Sequence, residues 1–309
     1  MYLEILGSAA GGGFPQWNCN CRNCRLLRGG TFRGKPRLQT QVALSPDRNS
    51  WFLLNASPDL RLQIERTPCL YPQSGGRHSP INGVLVTGAD IDQIAGLLSL
   101  RELHRLSLYS TPSIRRILEQ DNTVFGMLKR IPHQLSWHEI TPGEHFPLLD
   151  PSGTNSGIGC TVFSLASRYP AYVLPQRASS LKPDEAQLGV LVESPSGGKL
   201  AYLPAVRDIS PPLVERLSLV DLVLFDGTFW SDDELIQIQA SGASAGEMGH
   251  IPVSGENGSL RKLAALRCPR KVFIHVNNTN PMLDESSPQY REVREAGWEV
   301  AEDGNQFEL

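Results

Sequence analysis

The chain has 309 residues, of which 40% are hydrophobic and 20% charged, and these are ordinary values for a folded globular protein. Its formal net charge of −3 gives no electrostatic reason to expect a nucleic acid or an anionic membrane as a partner. No stretch approaches the roughly 18 uninterrupted apolar residues of a membrane-spanning helix, and the N-terminus lacks the basic start of a secretory signal. These features predict a cytoplasmic protein, in which clustered thiols stay reduced and favour metal binding over disulfides.

Three of the six cysteines lie close together in the segment FPQWNCNCRNC, which follows a predicted first strand and a glycine loop. The spacing of Cys19, Cys21 and Cys24 suits thiolates that converge on one soft cation, and zinc, at about 2.3 Å from each sulfur, is the usual choice. The alternative is a cluster of reduced thiols around one reactive cysteine. A zinc ion held here by three or four protein ligands would be structural, because no position is left for a substrate. The spacing does not identify the fourth ligand, for which the candidates are Asn278, His275 and Asp59.

Short apolar segments rich in β-branched residues alternate with turn signals in the first part of the chain, and their lengths predict strands. The segment IAGLLSLRELHRL follows the third of them and predicts a helix, because Ile94, Leu97, Leu98, Leu103 and Leu106 recur at helical spacing. The start signal in STPSIRRILEQ predicts a further helix. The predicted strands lie in TQVALSP, SWFLLNASPDL and INGVLVTGADID.

The pattern returns to strands between residues 134 and 206, whereas the segment 169–187 is rich in Pro, Ser and charged residues and predicts a long surface loop or lid. Two later segments, PPLVERLSLVDLVLFDGTF and LRKLAALRCPRKVFIHVNNTNP, each predict a helix followed by a buried strand. The C-terminal segment GWEVAEDGNQFEL predicts a closing hairpin. No linker is visible, so the pattern predicts one domain over residues 1–309, with two sheets packed face to face and helices outside.

Polar side chains stand at four predicted strand ends, which is where α/β folds place ligands. Carboxylates and imidazoles of this kind suit iron, manganese or zinc with open coordination positions. Each residue also has an ordinary alternative, a helix cap or a turn for the aspartates and a hydrogen-bonded core position for the histidines. From spacing alone, a metal site and these alternatives are equally supported. The residues are Asp90, Asp92, Gln93, Asp226, His250 and His275.

Six separated motifs, in this order, span nearly the whole chain: GSAAGGGFPQWNCNC, NASPDLR, GLLSLRE, DGTFW, MGH and HVNNTNPMLDE. Together they resemble the protein B family of pyrroloquinoline quinone (PQQ) biosynthesis. The resemblance implies an α/β fold, the metallo-β-lactamase-like four-layer αββα sandwich. The FPQWNCNC loop is also similar to the structural zinc loop of related cyclic phosphodiesterases. In those relatives a histidine completes the zinc site, and Asn278 stands at the matching position here.

The resemblance also indicates which residues would bind an active-site metal. The usual signature of the fold is His-x-His-x-Asp-His. When it is aligned on Asp92, its four positions are occupied here by Gly88, Asp90, Asp92 and Gln93. The resembled family likewise lacks the first two histidines but usually keeps the last one. Gln93 offers a carboxamide oxygen instead, which is a much weaker ligand than imidazole. Asp92 and His275 are therefore the clearest metal-binding pair, with Asp90 and Gln93 as weak ligands or supporting partners.

The resemblance implies that the protein helps to make PQQ from a peptide-derived, cross-linked glutamate and tyrosine. The leading hypothesis is an enzyme in which a single Fe²⁺, or another divalent metal, supports hydroxylation of the tyrosine-derived ring. Asp226 and His250 would orient the substrate or move protons. The expected partner is thus a small molecule or a short peptide-derived precursor, with no nucleic acid and no membrane.

Two alternatives to this enzyme stay open. A carrier protein that binds PQQ or its precursor for transport, without a working metal site, is favoured by Gln93, and Arg101 and Arg168 are candidate partners for its carboxylates. A metal-dependent hydrolase of phosphodiesters or lactones is less favoured, because few histidines are present to build a metal-activated water. The sequence does not decide between a monomer and a homodimer.

Overall fold

The computed structural model describes residues 1–102, 104–165, 168–239 and 242–309. In these residues the strands are β1 (Tyr2–Gly7), β2 (Gln41–Ser45), β3 (Trp51–Leu54), β4 (Ile81–Leu85), β5 (Leu106–Ser110), β6 (Leu135–Glu139), β7 (His145–Leu149), β8 (Asn155–Ser164), β9 (Leu188–Glu193), β10 (Lys199–Leu203), β11 (Leu222–Asp226), β12 (Arg270–Ile274), β13 (Glu299–Val300) and β14 (Gln306–Glu308).

The α-helices of the described ranges are short, and several are extended by 3₁₀ turns. They are α1 (Arg22–Arg28), α2 (Leu60–Arg66), α3 (Ile91–Ile94), α4 (Pro112–Arg116), α5 (Pro175–Ala178), α6 (Pro211–Leu217), α7 (Glu234–Ile238), α8 (Ala245–Met248), α9 (Ser259–Lys262) and α10 (Pro288–Glu295). The 3₁₀ helices are Pro68–Leu70, Ala95–Arg101, Thr123–Lys129, Pro183–Glu185 and Pro281–Leu283, and Ile117–Asp121 forms a π-helical turn. None of the helices described here is long and apolar enough to cross a bilayer.

The chain divides into two compact units. The first comprises residues 1–6, 41–198 and 304–309, and the second comprises residues 7–40 and 199–303. The prediction of a single domain over residues 1–309 stays a prediction.

The first unit contains a seven-stranded mixed sheet in the order β14-β1-β2-β3-β4-β5-β6. Strands β3 to β6 are parallel, so their carboxyl ends meet at one edge of the sheet. The loop after β4 leaves this edge and ends at Asp90, and the helix that follows it, α3, carries Asp92 and Gln93. Strands β7, β8 and β9 of the same unit form an antiparallel ladder. The strand predictions for these segments are confirmed.

Helices cover one face of the first sheet because their apolar side chains pack into one buried cluster with those of the strands. The start signal predicted for α4 is also confirmed, since the Thr111 hydroxyl accepts a hydrogen bond of 3.3 Å from the backbone N–H of Ile114. The cluster includes Leu53, Val84 and Leu108 from the strands and Leu60, Ile94, Leu97 and Ile114 from the helical segments.

The predicted helix over IAGLLSLRELHRL is correct only in its first half. Helical structure ends at Arg101, and Leu106 begins the buried strand β5 instead. The leucine spacing fits a helix, but five consecutive buried positions in Leu106–Ser110 fit a strand that lies between two parallel neighbours. Leu103 of the predicted helix lies outside the described residues.

The predicted C-terminal hairpin is wrong. Strand β13 pairs in parallel with β12, whereas β14 pairs antiparallel with β1. Asp303 does not form a hairpin turn between β13 and β14. Its carboxylate instead accepts hydrogen bonds from the Ser8 hydroxyl at 2.8 Å and from the Leu38 N–H at 2.7 Å.

The segment 169–187, predicted as a surface loop or lid, has a partly buried core of its own. Val173 and Leu181 pack with Ala89 and Ile117 in a small apolar cluster. The segment is closed at its base by a hydrogen bond of 2.6 Å from the Tyr169 hydroxyl to the carbonyl of Lys182. Its role as a lid stays a prediction.

The second unit contains the parallel ladder β10-β11-β12-β13. Three aromatic side chains form the core behind it. The Phe273 and Trp298 rings stack at 4.3 Å between centroids, and Phe225 meets Trp298 edge-on at 6.1 Å. The two predicted helix-strand repeats are confirmed as α6 with β11 and α9 with β12.

Two candidate metal-binding clusters

The first cluster lies where two parallel strands of the second unit end side by side. Asp226, the last residue of β11, is in register with Ile274, the last residue of β12, so His275 follows at the same edge. His250 comes from the turn after α8, where Gly249 adopts a left-handed conformation with φ of 90°. The three side chains are buried, and their ligand atoms lie within 4.8 Å of one another.

Thr228 connects these three residues through its hydroxyl group, and the sequence reasoning missed it. Its Oγ1 atom lies 2.6 Å from Asp226 Oδ1 and 2.8 Å from His275 Nδ1. A hydroxyl carries one proton, and the shorter distance assigns its donation to the Asp226 carboxylate rather than to the His275 carbonyl at 2.9 Å; Oγ1 then accepts from the His275 Nδ1–H. The signal that could have revealed it is the spacing in DGT, because threonine two residues after aspartate commonly bonds to that carboxylate.

The same network fixes the ring orientation of both histidines. His250 Nδ1 lies 2.7 Å from Asp226 Oδ2, so it also carries its proton on Nδ1. This tautomer makes Nε2 the atom that can bind a metal in each ring. The two rings stack with their centroids 5.3 Å apart. The cluster therefore offers two imidazole ligands side by side.

Asp226 is placed to orient the histidines. Its Oδ1 accepts from the backbone N–H and the hydroxyl of Thr228, and its Oδ2 accepts from His250 and from the Val206 N–H at 2.8 Å. A carboxylate has about four acceptor positions, so these donors occupy all of them. Burial alone would raise the pKa of Asp226, but the nearby His250 and His275 and the Thr228 hydrogen bond hold it below its ordinary value.

The backbone at His275 is strained. Its φ of 60° lies in the left-handed region, which costs a residue with a β-carbon about 1–3 kcal/mol. The next residue, Val276, holds the strand end in place, since it donates to Ser8 and accepts from Ala10 at 2.9 Å each. Such strain is concentrated at functional sites, which supports a role for His275 beyond packing.

The second cluster comprises Cys19, Cys21 and Cys24, with sulfur atoms within 4.8 Å of one another. Asn278 faces all three, because its Nδ2 atom lies 3.2, 3.6 and 3.3 Å from the respective sulfurs. The two ends of a carboxamide are interchangeable by rotation, so Oδ1 can take this position when a cation is present. Asn278 is thus the predicted fourth-ligand candidate that the structure brings to the thiols, and His275 belongs to the other cluster.

The thiols differ in their acidity without a metal. Burial, together with the neighbouring Cys21, raises the pKa of Cys24 to about 12. Burial would also raise the pKa of Cys19, but the N–H of Cys21, at 3.4 Å from its sulfur, lowers it. Three thiolates this close together repel one another, so a bound cation would stabilise them. The three cysteine sulfurs suit zinc, and the amide oxygen of Asn278 is a weaker fourth donor beside them.

The remaining predicted residues lie in the first unit. Asp90 is at the N-cap position of α3 without a capping hydrogen bond from its side chain, and Asp92 is in the first turn. Gln93 is buried, and its Nε2 donates to Gln187 Oε1 at 3.2 Å, while its own Oε1 has no hydrogen-bond partner among the described residues. Gln187 in turn donates to the Thr87 hydroxyl at 3.4 Å. The pairing of Asp92 with His275 as metal ligands stays a prediction.

Comparison with known proteins identifies the family. Residues 50–276 match the family described as Beta-lactamase superfamily domain. Coenzyme PQQ synthesis protein B of Methylorubrum extorquens is 40% identical over 100% of both chains, and that of Azotobacter vinelandii is 43% identical over 100% of both chains. The crystal structure of Zn²⁺-bound PqqB from Methylobacterium extorquens covers 100% of both chains at 40% identity, with a TM-score of 0.91.

A more distant structure shows only the shared fold. A diphosphatase from the PhnP family has a TM-score of 0.67 at 19% identity, and it covers 100% of this chain and 97% of its own. The predicted α/β fold class, metallo-β-lactamase-like, is confirmed by these similarities. The chain belongs to the coenzyme PQQ synthesis protein B family, within the beta-lactamase superfamily.

Proposed function

We propose that the protein acts in PQQ biosynthesis as an iron-dependent enzyme that hydroxylates the tyrosine-derived ring of a peptide-derived precursor. The names of its full-length relatives support the pathway. The observation that carries the proposal is the buried pair of His250 and His275, whose proton positions are set by Asp226 and Thr228. This pair is suited to a metal with open coordination positions and is too small a ligand set for a two-metal hydrolytic centre.

In this proposal His250 and His275 bind the metal through Nε2. Asp92 remains the carboxylate ligand that the sequence predicts. A ferrous ion bound there would supply open positions at which dioxygen and a phenol ring can react. Asp226 keeps its negative charge at neutral pH because its pKa lies below the ordinary value. That charge stabilises the Nδ1–H form of His250 and prevents the ring from turning away.

The cysteine cluster has a separate role in the proposal. Cys19, Cys21, Cys24 and Asn278 hold a structural zinc ion, which leaves no position for a substrate. The zinc connects the N-terminal end of α1 to the segment after His275, and Asn23 reinforces this connection by donating to the carbonyl of Asn278 at 3.2 Å. Zinc binding would then stabilise the second unit without taking part in the chemistry.

The first test is element analysis of the purified protein and of three variants. We expect about one zinc per chain to be lost in Cys21→Ser only, and a second, more weakly bound metal to be lost in His275→Ala only. His78→Ala is the matched control, because His78 is exposed and lies outside both clusters. A metal content that does not change in His275→Ala would contradict the metal site at the strand ends.

The second test is turnover. Hydroxylation places one oxygen atom of O₂ in the ring and reduces the other to water with two electrons and two protons, so the assay must contain a reductant such as ascorbate. Protein loaded anaerobically with Fe²⁺ should consume oxygen and add one oxygen atom to the mass of a cross-linked glutamate-tyrosine substrate. His250→Ala should abolish both signals, and His78→Ala should abolish neither. No oxygen uptake by the loaded wild-type protein would remove the enzyme hypothesis.

A carrier of PQQ or its precursor is the second candidate, and Gln93 favours it. Its carboxamide oxygen is a much weaker metal ligand than a histidine nitrogen, although Gln187 engages only the Nε2 end of the Gln93 amide. Calorimetric titration of the metal-free protein with PQQ tests this role, because micromolar binding would support a carrier and no binding would exclude it. Transport and the cytoplasmic location stay predictions from the sequence.

A further inference from the structure

The loop before α1 presents an exposed tryptophan that is held in place by defined contacts. Trp17 is 85% exposed. The backbone carbonyls on either side of it, those of Gln16 and Cys19, each accept a hydrogen bond of 2.5 Å from the guanidinium of Arg28. An aromatic side chain on an ordered loop loses little conformational freedom when a partner covers it. The indole is therefore available to a partner at a low entropic cost.

The helix beside this loop carries arginines on one face. Arg22, Arg25 and Arg28 are three residues apart in α1, so their side chains form a row. Because Arg28 reaches the loop of Trp17, the row and the indole adjoin. Arg22 pairs with Asp284 at 3.1 Å, whereas Arg25 is exposed and has no ion pair among the residues that the structure describes. The row therefore carries uncompensated positive charge.

The charge pattern of the sequence strengthens this observation. Residues 5–46 contain six basic residues and no acidic one, although the chain as a whole has a net charge of −3. Lys35 of this segment is paired with Glu302, but Arg33 is exposed and, like Arg25, without an ion pair in the described ranges. Arg37 is buried, so Arg25 and Arg33, exposed and without an ion pair among the described residues, are the ones that can attract anionic groups.

We propose that Trp17 and the arginine row of α1 form a docking surface for an acidic segment of a partner protein. The carboxylates of the segment would meet Arg25 and its neighbours, and an apolar side chain would cover the indole. Tryptophan and arginine are the residues most enriched where protein interfaces gain their affinity. A nucleic acid fits less well, because specific duplex binding commonly uses about 6–10 phosphate contacts and the net charge opposes it.

Fluorescence anisotropy with a labelled peptide of four Glu-Glu-Leu repeats tests the proposal on the full-length protein. The peptide should bind at low salt, and its Gln-Gln-Leu counterpart should bind at least about tenfold more weakly. Trp17→Ala and Arg25→Glu should each weaken binding by about tenfold. Arg61→Glu, on the exposed face of α2, is the matched control and should bind like the wild type.

Circular dichroism of each variant shows whether it is folded, and Trp17→Tyr should restore most of the binding if a flat aromatic surface is what the peptide covers. Equal binding of the two peptides, or unchanged binding by Trp17→Ala, would overturn the proposal. Tighter binding of phosphatidylserine vesicles or of single-stranded DNA than of the acidic peptide would overturn it as well. The proposal would also be overturned if sedimentation showed a dimer that Trp17→Ala converts to a monomer while peptide binding is unchanged.

Discussion

Replacing Thr228 with valine removes one hydroxyl group and keeps the shape of the side chain, so it isolates the network that orients the histidines. The change deletes the hydrogen bonds to His275 Nδ1 at 2.8 Å and to Asp226 Oδ1 at 2.6 Å, together with the polar contacts of the hydroxyl with the His275 carbonyl at 2.9 Å and His250 Nδ1 at 3.1 Å. Asp226 Oδ1 keeps the Thr228 backbone N–H at 3.0 Å, so the carboxylate loses one partner of two on that atom. A buried polar group left without its partner costs about 1–3 kcal/mol, so we expect a loss of about 2–4 kcal/mol in the free energy of unfolding.

Equilibrium unfolding in urea at neutral pH measures this loss, and Thr228→Ser is the control that keeps the hydroxyl and removes one methyl group. The serine variant should lose about 1 kcal/mol, which is the value of one buried methyl group. If the valine variant is as stable as the serine variant, the hydroxyl does not hold Asp226 and His275 as described. Element analysis of the same two proteins shows whether metal binding at the histidines follows the hydroxyl.

Three further changes test other parts of the structure. Burial raises the pKa of Glu234 to about 7, so its stabilising effect is complete below about pH 4.5 and is lost as the pH rises through 7. The free energy of unfolding of Glu234→Gln should therefore equal that of the wild type near pH 4.5. Near pH 8 it should be larger than that of the wild type by about 3 kcal/mol at most. In Gly88→Ala the new β-carbon would lie 2.2 Å from Gln93 Oε1 and 2.3 Å from Gln187 Oε1. Because both glutamine side chains are buried, we expect a loss of about 1–3 kcal/mol in the free energy of unfolding, whereas Gly126→Ala, with no atom within 4 Å, should be neutral in the same urea series. A zinc chelator should lower the melting temperature of the wild type but not that of Cys21→Ser, and equal shifts in both would contradict the zinc loop.

Most strands were predictable because a buried strand is a short run of apolar residues in the sequence. The buried run before Asp226 and the one before His275 are apolar at every position that faces the core, and parallel neighbours place their ends together. This is why Asp226 and His275 could be expected at one edge from strand order alone. The start of α4 was predictable for a different reason, since the Thr111-Pro112 pair acts locally and needs no knowledge of the fold.

The errors arose where distant pairing decides the structure. Nothing local in the C-terminal segment says that β13 joins β12 and that β14 joins β1. Asp303 and Gly304 have the composition of a hairpin turn, but the Asp303 carboxylate is bound by Ser8 and Leu38, which are far away in the sequence. Thr228 was missed for the same reason, because its importance comes from His275 meeting its hydroxyl and not from its own neighbours in the chain.

The two carboxamides that replace expected histidines have different consequences, which the sequence could not separate. Asn278 faces three thiols. When these thiols are ionised, their negative charge favours a bound cation even though an amide oxygen is a weak ligand. Gln93 faces Gln187, a neutral partner that gives no such assistance. The same kind of replacement is therefore compatible with a working zinc loop while it weakens the ligand set expected near Asp92. It follows that zinc content alone says nothing about catalysis, and only the histidine variants test the proposed active site.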